Sequence, residues 1–345
     1  MTTISLLLQK AKPFLLVIFL QAGLSGMDII SKVALDNGMS NFVFVVYRHL
    51  VATIIMAPFA LALDRNIRPK MTWSIFFKIM AMSLLEPVIG QNLYFLGMKY
   101  TTATSAAAMS NVLPAITFVI ALCFRLEKLK ITSIRSQAKI IGTLATVAGA
   151  MIMTFVIGPN LGLPWTKKGS AYNQHHQTVT LQDSIKGAVM IIAGCLSWAC
   201  FIILQAVTSR TYPTDLSMTV WICLLATVEG AAVALVAENR NPAAWAIKWD
   251  TKLLAVVYTG VFCTGIAYYV QGVVMKERGP VFVSAFSPLN MVIVAILSSI
   301  ILAEQMYLGR VVGAVIIIIG LYFVNWGKNK DYETPRLEVV TNMTV

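Results

Sequence analysis

The chain has 345 residues, of which 58% are hydrophobic and only 12% charged, and it carries a formal net charge of +12. Such a composition excludes a soluble domain built round one core and places the chain among polytopic membrane proteins. The positive charge would suggest nucleic acid in a soluble protein; here it clusters in short loops beside apolar runs, where membrane topology explains it and no nucleic-acid partner is expected.

Apolar runs long enough to cross a hydrocarbon core, about 20 residues each, fall at 14–34, 42–63, 73–97, 102–124, 138–158, 187–208, 216–237, 252–274, 281–303 and 306–326. They predict ten spans in two sets of five. Lys10 and Lys12 precede the first run as they would a secretory signal, but the run is long, carries Asp28 and Lys32 and lacks a small-residue cleavage site, so it reads as an uncleaved span. Its Gly23-Leu24-Ser25-Gly26, like Gly194-Cys195-Leu196-Ser197-Trp198 in the sixth span, permits close helix approach. Asp28 and Lys32, four apart on one face, can neutralise each other. Arg48 and His49 lie inside the second span, where Arg48 reads as structural, snorkelling outward or compensating Asp28 or Glu86.

The third span contains Glu86-Pro87-Val88-Ile89-Gly90-Gln91-Asn92-Leu93-Tyr94. Pro87 lacks an N–H and clashes with the preceding turn, so a hinge is expected there, with freed carbonyls that join Gln91 and Asn92 in binding a polar solute. A carboxylate at the bilayer centre costs about 2.5–3.5 kcal/mol on insertion scales, so Glu86 needs a partner such as Arg48 or Lys32, a water-filled cavity or a proton. The eighth span holds the counterpart, Thr264-Gly265-Ile266-Ala267-Tyr268-Tyr269-Val270-Gln271, with two aromatic hydroxyls and an amide but no carboxyl. In the fourth and ninth spans Ser110-Asn111-Val112-Leu113-Pro114 and Ser284-Ala285-Phe286-Ser287-Pro288-Leu289-Asn290 set polar residues beside a proline. Pro114 and Pro288 are therefore further hinge candidates, and Asn111 and Asn290 either line a cavity or tie helices together. Trp198 is mid-span and reads equally as a substrate contact or a packing residue. Glu229, midway along the seventh span, is a second proton-site candidate.

The same spaced marks occur twice: Gly90, Tyr94, Gly97, Glu127, Gly142 and Gly149, then Gly265, Tyr269, Gly272, Glu304, Gly313 and Gly320. Gly, Tyr and Gly at steps of four and three share one helix face, and so does a glycine pair seven apart. The chain is thus an internal duplication, with a first five-helix repeat at 13–158, a hydrophilic linker at 159–185, a second repeat at 186–327 and a tail at 328–345. Placing the N-terminus in the cytoplasm puts Lys10, Lys12, Arg65, Arg68, Lys70, Arg125, Lys128, Lys130, Arg135, Arg210, Lys276, Arg278, Lys328, Lys330 and Arg336 inside, against Lys99, Lys167, Lys168, Arg240 and Lys248 outside, so both termini and the tail are expected to be cytoplasmic. An odd number of spans per repeat inverts the second relative to the first, the plan that lets a central site open alternately to either side.

The five cysteines form no CxxC pair and read as packing residues. His175 and His176 in the linker are too few ligands for a metal site. No Walker loop, dinucleotide fingerprint or nucleophile elbow is present, so neither a cofactor nor enzyme chemistry is expected.

Tyr47-Arg48-His49, Met56-Ala57-Pro58-Phe59-Ala60, Glu86-Pro87 with Gln91-Asn92-Leu93-Tyr94, Asn111-Val112-Leu113-Pro114-Ala115-Ile116-Thr117-Phe118, Ser136-Gln137-Ala138-Lys139 and Gly320-Leu321-Tyr322 resemble the plant nodulin-21-like group, the EamA branch of the drug/metabolite transporter superfamily. That group includes the walls-are-thin relatives and the "usually multiple acids move in and out" amino-acid transporters, and the resemblance runs from about Pro13 to Lys328. It implies ten helices as two inverted five-helix repeats and passive or proton-linked secondary transport, with amino acids as cargo and export as the direction. Auxin or a specialised metabolite is the alternative cargo, and a non-transporting scaffold or receptor is the remote one. Partners are then a small molecule, protons and the bilayer, with the plasma membrane preferred over the vacuolar membrane. Gln91, Asn92, Asn111, Asn290 and Gln271 would supply amide contacts, Tyr268 and Trp198 aromatic walls, and Glu86 either an ammonium partner or a protonation site.

Overall fold

A computed structural model describes residues 3–100, 110–126, 133–156, 158–159, 161, 181–238, 242–246, 250–301 and 306–343. Glu127, Glu304 and the linker residues Trp165, Lys167, Lys168, His175 and His176 lie outside that set, as do the side chains of Asp28, Lys32 and the tail beyond residue 327. The described elements are helical: α1 (Thr3–Asp36), α2 (Asn41–Leu63), α3 (Trp73–Ser83), a π-helical segment π1 (Leu84–Gly90), α4 (Gln91–Tyr100), α5 (Leu113–Cys123), α6 (Ile134–Phe155), α7 (Leu181–Thr211), α8 (Asp215–Ala237), α9 (Thr251–Tyr258), a second π-helical segment π2 (Thr259–Ile266), α10 (Ala267–Arg278), α11 (Pro280–Ala285), α12 (Ser287–Ile301) and α13 (Leu308–Met343). Eight continuous helical stretches are long and apolar enough to cross a membrane, and two shorter apolar helices, Ala11–Met27 and Leu113–Cys123, occupy the first and fourth expected spans. The ten-span, all-helical architecture is therefore present. The first helix begins earlier than the apolar run that predicts it, and the last runs on to Met343 beyond residue 326.

Contacts divide the chain into two compact units, each drawing helices from both halves of the sequence. One comprises Met1–Ala106 with Thr178–Glu277, the other Ala107–Gln177 with Arg278–Val345. In the second unit α6 packs along α13 through the glycine pairs that mark the duplication. A Cβ at Gly142 would come 2.7 Å from the Gly320 carbonyl oxygen, and one at Gly313 would come 2.5 Å from that of Gly149. Ascending numbers on one helix meet descending numbers on the other, so equivalent helices of the two repeats run antiparallel, as inversion requires.

In the first unit the glycines of the third span admit α7. A Cβ at Gly97 would sit 2.9 Å from the Gly187 carbonyl oxygen, and one at Gly194 would sit 3.0 Å from that of Gly90. In the eighth span Gly260 admits α2, a Cβ there falling 2.7 Å from the Arg48 carbonyl oxygen. Close backbone approach is the usual basis of helix association in lipid, where apolar side chains gain nothing from leaving an apolar solvent.

One end of this unit is tied by contacts to two buried carboxylates. Asp64, just past α2, accepts from the Ser217 backbone N–H at 2.8 Å and from its hydroxyl at 2.7 Å, so a carboxylate from one helix satisfies an orphan donor in the first turn of α8. Beside it Lys276 pairs with Asp215 at 2.7 Å. Asp64→Ala should lower the thermal unfolding midpoint of the purified protein, because a buried N–H without a partner costs about 1–3 kcal/mol. An unchanged midpoint would show that this cap contributes nothing.

Candidate functional site

The two π-helical segments begin at equivalent places in the duplication: Leu84 and Thr259 are separated by the same 175 residues as Gly90 and Gly265. The sequence accounts for the first through Pro87, which cannot donate into the turn before it. The second contains no proline. There the Thr259 hydroxyl donates to the Ala255 carbonyl at 2.7 Å, competing for the helical acceptor, and Gly260 and Gly265 remove side-chain resistance to a wider turn. The broken turn is thus a property of the repeated fold and not of Pro87 alone. Carbonyls loosened in the first segment are taken up within the protein: Leu85 accepts from the Ser197 hydroxyl at 2.6 Å and Val88 from the Asn92 amide at 2.7 Å.

Glu86 is the third residue of π1 and is only 7% exposed. The Gln91 amide donates to its Oε1 at 2.7 Å, and the Tyr268 hydroxyl of α10 donates to its Oε2. The site therefore joins one repeat to the other across 182 residues of sequence. Arg48 of α2 is 2% exposed and donates from Nε to the Thr264 hydroxyl of π2 at 2.9 Å. Its charge acts on both Glu86 and Tyr268. Of the roles open to Arg48 from sequence, outward snorkelling is excluded by this burial.

Next to Arg48, His49 is fully buried, with its ring 6.3 Å from that of Tyr268. Its Nδ1 lies 2.7 Å from the Val45 carbonyl, which can only accept, so Nδ1 carries the proton and Nε2 is an acceptor. That Nε2 and the Gln91 Oε1 are both buried without a hydrogen-bond partner among the described residues. The Glu86 carboxylate thus meets a buried tyrosine hydroxyl, and the two residues with unpaired acceptors, Gln91 and His49, lie against Glu86 and the Tyr268 ring respectively.

Gln271 donates to Gln205 Oε1 at 2.8 Å, and Gln205 donates to the Tyr268 carbonyl at 3.2 Å, a relay that fixes the helix carrying Tyr268. Gln205, completely buried in α7, was not singled out from sequence, although a lone amide within an apolar run is a sufficient signal. Asn92 lies close by, but its amide is engaged at both ends, to Val88 and, at 3.2 Å, to Asn41. Trp198 is half-buried on α7, and Tyr269 is 38% exposed, unlike its neighbour Tyr268. Glu229 is half-buried on α8 and contacts Ser83 instead of the Glu86 cluster. Asn111, Pro114, Pro288 and Asn290 belong to the second unit. There Asn111 is buried and its amide meets Met291 Sδ at 2.7 Å, while Pro114 and Pro288 each stand second in a helix that starts after a break, and Asn290 is half-buried on α12.

Comparison with known sequences accords with this architecture. The profile of the EamA-like transporter family matches residues 12–155 and again residues 185–326. The chain belongs to the EamA-like transporter family. A WAT1-related protein of Arabidopsis thaliana is 64% identical over 94% of this chain and 85% of its own length, and two others are 59% identical over 94% and 87% and 55% identical over 95% and 91%. A solved crystal structure with 15% sequence identity superposes with a TM-score of 0.69 over 93% of this chain and 98% of the other, a likeness of fold. As an EamA-type transporter the chain is a multi-pass membrane protein that carries a small molecule across the bilayer.

Proposed function

We propose that this transporter moves amino acids by alternating access and that Arg48 and Glu86 recognise the two charges of the zwitterion. The observation that carries this reading is the buried cluster itself: an arginine and a glutamate, with unpaired acceptors at Gln91 Oε1 and His49 Nε2. An ammonium group has three N–H donors, and the Glu86 carboxylate, the Gln91 carbonyl oxygen and the His49 imidazole provide acceptors for them. The guanidinium of Arg48 suits the substrate carboxylate. An auxin-like anion fits less well, because it brings a carboxylate and no ammonium to a site that already holds Glu86, and like charges oppose each other there.

The amide ties at Asn92, Gln205 and Gln271 hold the helices that present this cluster, and the equivalent π-helical breaks supply one deformable turn in each repeat. Inverted repeats exchanging conformations about those turns give alternating access. The excess of basic residues in alternate loops supports cytoplasmic termini, and export at the plasma membrane is what the resemblance to the amino-acid exporters implies. Fusion of a pH-sensitive fluorophore to either end reports that orientation, and quenching by external acid would reverse it.

Purified protein in liposomes loaded with a labelled amino-acid mixture should release a subset of those amino acids faster than empty vesicles, and should not release a labelled auxin. Absence of release by demonstrably folded protein would overturn the amino-acid reading.

A further inference from the structure

Glu229 lies outside the Glu86 cluster, yet its surroundings are built for a mobile proton. Its Oε2 is 2.9 Å from Ser83 Oγ, and the same hydroxyl lies 2.8 Å from the Met80 carbonyl oxygen. A serine hydroxyl has one proton, so it cannot donate to both at once. With Glu229 ionised, Ser83 donates to it, and the Met80 carbonyl keeps the Leu84 backbone N–H as its donor. With Glu229 protonated, Glu229 donates to Ser83 and the serine proton turns to Met80. Either state leaves Ser83, the Met80 carbonyl and Glu229 Oε2 paired, which favours a titrating carboxyl inside a membrane. Glu86 differs in its partners: its Oε1 accepts from the Gln91 amide and its Oε2 from the Tyr268 hydroxyl, so both of its oxygens already hold a donor.

Elsewhere the surroundings of Glu229 are electrostatically quiet. The helices packed against α8 bring Tyr47, Arg48 and His49 on α2, Lys78 on α3, Glu86 on π1 and Cys263 on π2, and α8 itself adds Asp215 and Cys223. The side chain that bears on the Glu229 carboxyl is the neutral Ser83, through its hydrogen bond. Ser83 is also the last residue of α3, directly before the π-helical segment that carries Glu86. We propose that Glu229 binds the proton that drives transport and that Ser83 passes its state to π1, tightening the last turn of α3 when it donates to Met80. Glu229 binds the proton, and Ser83 is a positioning residue. The coupling part of the proposal rests on the amino-acid transport reading.

Infrared difference spectra of the purified protein across a pH series test the proton site without any cargo. A protonated-carboxyl stretch that titrates in the wild type should be missing in Glu229→Gln and shifted in Ser83→Ala; a band that persists unchanged in Glu229→Gln overturns the assignment. In liposomes clamped at zero potential, a difference of about one pH unit should accumulate the labelled amino acids about tenfold for one proton exchanged per substrate. Glu229→Gln should equilibrate to a ratio of about one while retaining amino-acid counterflow. Accumulation by Glu229→Gln equal to wild type, or wild-type counterflow with no response to the gradient, would overturn the coupling. Loss of counterflow in the wild type would instead refute the amino-acid reading, and the infrared band would still decide whether Glu229 binds the proton.

Discussion

Gly313→Leu should abolish recovery of a monodisperse, folded transporter, and Gly149→Leu should do the same. The first Cβ at residue 313 would already stand 2.5 Å from the Gly149 carbonyl oxygen and 2.6 Å from the Met153 backbone nitrogen. Those neighbours are main chain inside a second helix, so no rotamer change relieves the overlap. The helices must part along the glycine seam, losing the dispersion contacts on which membrane helix association depends. Overpacking a core costs about 1–3 kcal/mol when side chains can shift, and a collision with backbone belongs at or above the top of that range. Ile141→Leu on α6, a residue 56% exposed on the same helix, is the control and should leave the thermal midpoint unchanged. A folded Gly313→Leu protein with normal stability would mean that α6 and α13 do not depend on this close approach.

The glycine seam also shows what was legible before the structure. The spacing of Gly142 to Gly149 and of Gly313 to Gly320 survives because two helices touch there, so the sequence marks the faces; that the faces meet each other is a fact of tertiary packing. Spans were readable for the same local reason, since hydropathy over a helix length decides insertion. The exact ends were not, because α13 continues as a helix beyond its apolar stretch and α5 starts only after the break at Asn111 and Val112.

The site was legible in its parts and not in its pairing. Glu86, Gln91 and Tyr268 stood out as polar groups in apolar runs, but Tyr268 read as an aromatic wall, whereas its hydroxyl is the contact. Asn92 read as a ligand contact, and its amide instead meets Val88 and Asn41, which only tertiary neighbours reveal. Arg48 and Thr264 are 216 residues apart in sequence, and no periodicity links them. Pro87 pointed to a broken turn in the third span, but the matching break at Thr259–Ile266 had only a threonine and two glycines to announce it.

Neutralising the Arg48 and Glu86 charges singly and together separates their structural from their functional roles. Arg48→Gln should leave Glu86 buried without a charge that acts on it, and Glu86→Gln should do the converse to Arg48; because the two interact without a direct ion pair, each loss should cost less than the about 3–5 kcal/mol of breaking one. Both single variants should therefore unfold at lower temperature than the wild type. The double variant Arg48→Gln with Glu86→Gln buries no unbalanced charge, and its thermal midpoint should recover most of the loss, since replacing opposite buried charges by neutral groups is often nearly free of cost. Transport should not recover. A substrate ammonium or carboxylate deprived of its charged partner loses about 1.5–3 kcal/mol, or about 10- to 100-fold in kcat/KM, at each end. Amino-acid counterflow in the double variant should then fall by at least as much as in either single one. If instead the double variant transports at the wild-type rate, the two charges serve only to balance one another in the fold, and recognition of the zwitterion must lie with other groups.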